Sequence, residues 1–341
     1  MKLLKKSQIE ISFNTFISVL IAAVVFILVF KISQVFMNYT HDKYSFDALN
    51  YLELNLKNLY TESDYTKKIT LDKSTDILFD SQNFVMPRLK KTISIGSNLV
   101  VAPRIMHTHS LTFFSKFSKF PIKPINYLFV YPTDYIFLIY NSSDPLANLI
   151  YSELPDRVDS LEGTRSDVLI YKLKIDAINK IFPICGKKTY CYLIIFNSPE
   201  TYQDLREYNN IKLLHVKGTE NFGEVTLSSK QKVVFFDRYT LLAAIISDDV
   251  NNYNELIKKL YDAVNTNYLI ESKRLSYLYE LEPTDKCKTL VSEINDSLFN
   301  ITNIVENMKH GMTSDLAIRL NENYSIFSQK DYLLEQNDCY K

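Results

Sequence analysis

The 341-residue chain contains only six glycines, and none of them occurs in a GxGxxG or P-loop spacing. Both loops need glycine because main-chain N–H groups must approach a phosphate closely. This scarcity excludes nucleotide binding through a standard glycine-rich loop. The chain also has no net charge at pH 7, because its 39 lysines and arginines balance 39 aspartates and glutamates. A chain without excess positive charge gives no support to nucleic acid as a partner.

Histidine is rare too, with five residues, and no set of Ser, His and Asp can be proposed from their spacing. His107 and His109 are the one closely spaced pair, and alternation would place both on one face of a strand. No Asp, Glu or Cys stands within several residues to complete a metal site. We therefore predict no catalytic residues, no metal and no cofactor, while an enzymatic activity stays open.

The chain does contain one uncharged apolar run, from Ile11 to Phe30. A helix of that length spans about 30 Å, which matches the hydrocarbon core of a bilayer. We expect a transmembrane helix at residues 11–32, with no second span after it. Three lysines precede the run, and basic residues favour the cytoplasmic side. The N-terminus at 1–10 is then expected inside the cell and the bulk of the chain outside, as in a single-pass protein of the cell membrane.

Downstream of this run the hydrophobic pattern changes. Apolar residues spaced by three and four predict a helical stalk over 33–66. Short runs rich in β-branched and aromatic residues predict a β-rich α+β domain over 67–240, with helices at Pro145–Leu154 and Pro199–Tyr208. The predicted strands cover 69–71, 76–79, 92–95, 99–102, 111–114, 127–131, 135–140, 168–173, 192–196, 211–216, 224–227 and 233–236.

The pattern becomes helical over 241–341 and stays so. A first helix runs to Pro283, and a second carries an apolar seam, spaced by three and four, over residues 287–308. Gly311 ends this seam, and Thr313 or Ser314 can cap a third helix. Long helices joined by short connections predict an antiparallel helical bundle.

Four cysteines form a close pair and a distant pair. Cys287 and Cys339 lie at almost equal distances from the turn at 311–314, so an antiparallel hairpin brings them together. Cys185 and Cys191 flank a short turn and can face each other across a β-hairpin. These matches predict two disulfides, which agree with an extracytoplasmic location. Free buried thiols are the alternative, and zinc is disfavoured because no matching ligand pair exists.

Asparagine sequons provide candidate modification sites. If the bulk of the chain lies outside the cell, glycosylation is expected at accessible sequons. The candidates are Asn141, Asn295, Asn300 and Asn323.

The sequence Lys5-Lys6-Ser7-Gln8-Ile9-Glu10 leads directly into the apolar run. It resembles the precursors of archaeal type IV pilin-like proteins, in which a small residue precedes a cut before glutamine. The resemblance implies processing between Ser7 and Gln8, with a plain uncleaved anchor as the alternative. The stretches at 8–13 and 241–248 are similar to a group of archaeal single-span membrane proteins that has no established activity. Glu10 departs from the pilin pattern because it is third, rather than fifth, after the implied cut.

The single apolar run, the paired cysteines and the lack of a catalytic signature predict a single-pass, surface-exposed membrane protein with a structural, adhesive or pilus-like role. A membrane-tethered extracytoplasmic enzyme, hydrolase-like in character, is one alternative, and an accessory subunit of a membrane complex is another. The expected partners are the lipid bilayer and either a second copy of the chain or another membrane or surface protein.

Overall fold

The computed structural model divides the chain into two compact units, residues 1–51 and 52–341. The residues that it describes are 21, 23–34, 50, 53–54, 56, 65–87, 90–118, 125–140, 143–155, 172–175, 185, 190–198, 211–281, 284–308, 311, 313–337 and 339.

In the N-terminal unit, residues 23–34 are helical and their apolar side chains are exposed. The predicted transmembrane helix at 11–32 is wrong for this fold, because no helix among the described residues is long and apolar enough to cross a membrane. Residues 11–20, the processing site at 7–8 and most of the expected stalk at 33–66 lie outside the described residues.

The larger unit contains a first sheet of six strands that is mostly antiparallel. Its strands are β1 (Thr66–Phe79), β2 (Asn83–Met86), β3 (Lys91–Ser94), β4 (Leu99–Val101), β5 (Ile105–Ser118) and β6 (Ile125–Pro132). They lie in the order β3-β2-β1-β5-β6-β4, and β4 pairs in parallel with β6. The strands predicted at 69–71 and 76–79 are one strand, β1, with a bulge between Thr70 and Thr75. The sequence pattern does not predict β2.

The second sheet also has six described strands and is partly parallel. They are β7 (Ile136–Tyr140), β8 (Lys172–Ile175), β9 (Cys191–Phe196), β10 (Ile211–Gly218), β11 (Gly223–Thr226) and β12 (Lys232–Phe235). Their order is β12-β11-β10-β9-β7-β8, with β8, β7, β9 and β10 mutually parallel. β9 is buried at every position, as its unbroken apolar sequence requires for a strand covered on both faces.

Helix α1 (Pro145–Glu153) follows β7 and matches the predicted helix at 145–154. Asp144 caps it, because Oδ1 accepts from the N–H groups of Leu146 at 2.8 Å and Ala147 at 3.3 Å. Pro145 suits the first turn, where its missing N–H has no intrahelical partner to lose. The helix predicted at 199–208 lies outside the described residues.

Helix α2 (Arg238–Ser247) is buried at every residue from Tyr239 onward. Its apolar residues cover the whole circumference, the pattern of a helix enclosed by other elements. It contacts β4 and β6 of the first sheet and β11 and β12 of the second sheet. The main hydrophobic core therefore contains residues from both sides of position 240, the predicted boundary between the β-rich domain and the helical bundle.

Three long helices complete the unit: α3 (Val250–Leu281), α4 (Asp285–Met308) and α5 (Ser314–Gln336). The predicted seam on α4 is buried along its whole length, from Cys287 to Met308. Of the two predicted caps, Thr313 is the one that caps α5, with its side chain accepting from the N–H of Leu316 at 3.3 Å. α4 packs against both α3 and α5, which confirms a C-terminal group of packed helices.

Both predicted disulfides are present, and none of the four cysteines is free. The bond between Cys287 and Cys339 joins the start of α4 to the end of the chain beyond α5, with a Cα–Cα distance of 5.8 Å. Cys185 and Cys191 have a Cα–Cα distance of 5.9 Å. The β-hairpin predicted for this second pair is wrong, because β9 pairs with β7 on one edge and with β10 on the other.

Candidate functional site

The parallel strands of the second sheet end at one common edge. β12 shares their direction, because β11 is antiparallel to both β10 and β12. The strand order reverses beside β7: β8 is added on one side of it and β9 on the other. Ligands of open α/β sheets bind at the carboxyl edge near such a reversal. This edge is therefore the location at which the fold favours a site.

Asn197 organises the carboxyl edge directly after β9. Its φ of +44° is left-handed, a conformation that asparagine tolerates better than most residues. Its Nδ2 donates to Asp144 Oδ2 at 2.8 Å and to Gly218 O at 3.0 Å, while its Oδ1 accepts from Gly218 N–H at 2.9 Å. One amide therefore connects the capping residue of α1 to the ends of β9 and β10.

A cleft of about 920 Å³ opens near the same edge, at the N-terminus of α2. Its walls come from the end of β5, from α1, from the connection after β10, from the start of α2 and from α5. Asn321 fixes α5 there, because its Nδ2 donates to the carbonyl oxygens of Asn221 at 2.7 Å and Phe236 at 3.1 Å. The volume is within the range of small-molecule sites, about 300–1,000 Å³.

Asp237 lines this cleft and caps α2. Its Oδ1 accepts from the N–H and the Oγ1 of Thr240, both at 2.7 Å, and its Oδ2 accepts from Ser118 Oγ at 3.3 Å. Burial raises the pKa of the carboxyl, against the lowering effect of these hydrogen bonds. Three donors therefore hold the carboxyl group in place, and its ionisation inside the protein costs free energy.

The two cations near the cleft are paired. Arg238 NH1 lies 3.1 Å from Glu153 Oε1, and Lys116 Nζ lies 3.2 Å from Glu153 Oε2. Arg238 also covers the ring of Tyr239, with its guanidinium carbon 4.8 Å from the ring centre. Because Glu153 is buried between two cations, this part of the molecule does not present a strong field of one sign.

The α5 side of the cleft is neutral and polar. Its side chains lie on one helical face and end in hydroxyl or amide groups. They are Tyr324, Ser325, Ser328, Gln329 and Tyr332. Tyr332 is 59% exposed, so its ring is available at the rim, where its hydroxyl accepts from Gln336 Nε2 at 2.8 Å. The cleft therefore combines aromatic rings with neutral hydrogen-bonding groups.

The two histidines singled out in the sequence lie on β5, and both are exposed. His107 contacts carboxylate and hydroxyl groups of β1: its Nδ1 is 2.6 Å from Asp76 Oδ1, and its Nε2 is 2.8 Å from Ser74 Oγ. His109 is the next outward-facing residue of the strand. No group of three or more His, Cys, Asp or Glu residues in the described part of the chain can hold a metal ion.

The sequon asparagines are distributed over the helices. Asn295 and Asn300 are exposed on α4, and Asn323 is half-buried on α5, where its Nδ2 donates to the Arg319 carbonyl at 2.8 Å. Asn141 lies outside the described residues. None of the described sequon asparagines lines the cleft, although Tyr324 and Ser325 of the Asn323 sequon do.

Sequence reasoning places the start of the helical region at residue 241, close to the observed start of α2 at Arg238. It does not predict the cleft, because α5 reaches this site from 85 residues further along the chain, as the Asn321 contact with Phe236 illustrates. It also does not predict the contact of Ser74 and Asp76 with His107. Asp76 and His107 are 31 positions apart in the sequence, and only the register of β1 and β5 places them opposite each other.

Comparison with known proteins identifies no relative from which a function can be transferred. No family model matches the chain, and neither the curated proteins nor the solved structures contain a significant match.

Proposed function

We propose that this protein is an exported, surface-exposed binding protein with an adhesive role, and that the cleft beside α2 binds a carbohydrate. The observation that carries this proposal is the lining of the cleft, which combines tyrosine rings with neutral hydroxyl and amide groups. The proposal gives the adhesive expectation from the sequence a definite site and a definite ligand class.

Export is supported by the cysteines. All four are paired, and disulfides persist in oxidising compartments and outside the cell. One bond restrains the entry to β9, and the other restrains the ends of α4 and α5. Both are therefore placed to stabilise the folded chain in an environment without reducing thiols.

Carbohydrate as the ligand class follows from the chemistry of the lining. A pyranose presents hydroxyl groups around its rim and C–H groups on its faces. Ser328 and Gln329 offer donors and acceptors to such a rim, while Tyr324 and Tyr332 offer flat apolar rings that carry a polar edge. The ion pairs of Glu153 with Lys116 and Arg238 disfavour a strongly anionic ligand, because neither cation is left without a counter-charge.

A glycan array with the purified full chain, followed by titration of the best oligosaccharide, tests the proposal. Tyr332→Ala and Gln329→Ala should each weaken binding about tenfold, the equivalent of ~1.4 kcal/mol. Tyr277→Ala is the matched control, because Tyr277 is a 64% exposed tyrosine on α3 that does not line the cleft. The proposal fails if no oligosaccharide binds, or if the control weakens binding as much as the two cleft variants do.

A structural or pilus-like role and a role as an accessory subunit stay predictions of the sequence. Both concern partners of the whole protein, and the processing site on which the pilus-like role depends is outside the described residues. The alternative of an extracytoplasmic hydrolase has a specific structural observation in its favour, the contacts of His107.

A further inference from the structure

We propose that Ser74, His107 and Asp76 form a hydrolytic triad on the outer face of the first sheet, and that it cleaves esters of short apolar acids. Ser74 Oγ lies 2.8 Å from His107 Nε2, and Asp76 Oδ1 lies 2.6 Å from His107 Nδ1. This activity is independent of ligand binding in the cleft, since none of the three residues lines it.

Strand pairing explains why these three residues meet. β1 and β5 are antiparallel, and their register places Asp76 directly opposite His107. Ser74 and Asp76 are two positions apart on β1, so their side chains leave the same face of the sheet. All three residues are exposed, whereas Ile77 and Met106, next to Asp76 and His107, point into the core.

The two ring nitrogens have the division of roles that a serine hydrolase needs. A carboxylate acceptor at Nδ1 favours the tautomer that carries its proton there. Nε2 is then the basic nitrogen, and it faces the hydroxyl of Ser74. The histidine can accept the serine proton while Asp76 stabilises the imidazolium that forms.

The bulge in β1 lies beside the proposed nucleophile. Between the pairs Thr70–Ser110 and Thr75–Thr108, β1 contains four residues and β5 contains only His109. The ladder therefore gives residues 71–74 no regular partners on β5, and their main-chain N–H groups are the nearest candidates for an oxyanion hole. Bulges of this kind re-aim side chains and are common next to active sites.

The substrate class follows from the apolar pair next to the triad. Ile105 and Leu78 are opposite each other in the register, two residues along from His107 and Asp76 and on the same face. Ile105 is 62% exposed and Leu78 is 36% exposed, so together they offer an apolar surface to a short acyl group. His107 and Asp76 are 63% and 67% exposed, which leaves the site open to esters carried on large molecules.

The reaction proceeds by acyl transfer. Ser74 Oγ attacks the ester carbonyl carbon, and its proton moves to His107 Nε2. The bond from the carbonyl carbon to the alkoxy oxygen breaks, and the leaving alcohol takes that proton. Water then attacks the acyl-serine and gives its proton to Nε2, and the proton returns to Ser74 as the carboxylic acid leaves. Ester and water are consumed, acid and alcohol are formed, and no oxidant or reductant is required.

Two measurements on the purified full chain test this proposal. The first is hydrolysis of p-nitrophenyl butyrate, and the second is labelling by a fluorophosphonate probe followed by mass mapping of the modified peptide. We expect the label on Ser74, and we expect Ser74→Ala and His107→Gln each to lower the hydrolysis rate by about a hundredfold. Circular dichroism should show that both variants fold, because the substituted side chains are exposed.

His109→Gln is the matched control, since His109 is an exposed histidine two residues away on the same face of β5. It should retain the wild-type hydrolysis rate and the label on Ser74. Equal loss of activity in the His109 and His107 variants would indicate hydrolysis by surface imidazoles alone and overturn the triad. Absence of the label from Ser74 in the wild-type chain would overturn it as well, whatever the hydrolysis rate.

Discussion

At the scale of single residues, short polar side chains connect elements that are distant in sequence. Asn197 links the ends of β9 and β10 to the capping residue of α1. Asp248, at the C-terminal end of α2, is a second example and has a φ of +43°. Its buried carboxylate accepts a hydrogen bond from the N–H of Ser228 and forms an ion pair with Lys212 at 3.2 Å. Each of these residues combines a left-handed backbone with several side-chain contacts, so no other residue type meets both requirements equally well.

Substitutions of Asn197 can separate the contribution of its side-chain hydrogen bonds to stability from that of its left-handed backbone. Asn197→Gly keeps an unstrained positive φ but removes the amide contacts, and should cost about 1–2 kcal/mol of unfolding free energy. Asn197→Ala also forces a Cβ into the left-handed region and should cost about 1 kcal/mol more. Urea denaturation of the two variants beside the wild-type protein measures both steps. Equal stability of the Gly and Ala variants would contradict the backbone contribution.

The carboxyl of Asp237 predicts a pH dependence with a definite sign. Burial raises its folded-state pKa above that of the unfolded chain, so the unfolded state ionises first as the pH rises. The stabilising effect of the neutral carboxyl is therefore complete below the unfolded pKa and is lost as the pH rises through the folded pKa.

Asp237→Asn removes this ionisation and keeps an oxygen that can accept from Thr240. The stability of the Asn variant relative to wild type should increase as the pH rises from about 4. Urea denaturation at a series of pH values measures the difference. Asp315→Asn is the control, because Asp315 lies in the first turn of α5 with its side chain 78% exposed. A relative stability of the Asp237 variant that does not change with pH would contradict the prediction.

At the scale of elements, the two disulfides restrain loops of very different length. Cys287 and Cys339 are 52 residues apart and enclose α4 and α5, while Cys185 and Cys191 are 6 residues apart. In the chain-entropy model the long loop gives the larger stabilisation, because closure removes more freedom from a longer unfolded segment.

Replacing both members of a pair by serine tests this difference. The double variant at 287 and 339 should lose about 4 kcal/mol of unfolding free energy, and the double variant at 185 and 191 about 2 kcal/mol. Urea denaturation under non-reducing conditions gives both values against the wild-type chain. A larger loss from the short loop would show that strain or local packing, rather than loop entropy, determines the contribution.

At the scale of the whole molecule, one hydrophobic core joins the two sheets and the C-terminal helices of the 52–341 unit. Helix α2 is central to it, because it contacts both sheets and is buried on all sides. Elements that share one core should unfold together.

The proposed export of the protein predicts the redox state of its cysteines in cells. Alkylation of thiols on intact cells, followed by denaturation and mass analysis, should modify none of the four cysteines, and all four should react after reduction. Reaction without a reductant would contradict both the disulfides and the proposed location. Separately, sequencing of the mature N-terminus tests the pilin-like prediction, which expects Gln8 as the first residue.

The sequence by itself determines the local features of this protein. The three-and-four spacing of apolar residues defines α4, Thr313 marks the start of α5, and the positions of the cysteines around Gly311 define their pairing. These predictions succeed because helix periodicity, capping and hairpin symmetry depend on residues that are close along the chain or related by a single fold-back. The prediction of a transmembrane helix fails, and so does the hairpin at Cys191.

Only the tertiary structure decides strand order and both candidate sites. The sequence of β9 is equally compatible with a hairpin and with a central parallel strand, because a run buried on both faces has no alternation to reveal its partners. The cleft requires α5 to lie beside the start of α2, and the contact of His107 with Asp76 requires the register of β5 on β1. Such contacts join distant parts of the chain, and local spacing carries no information about them.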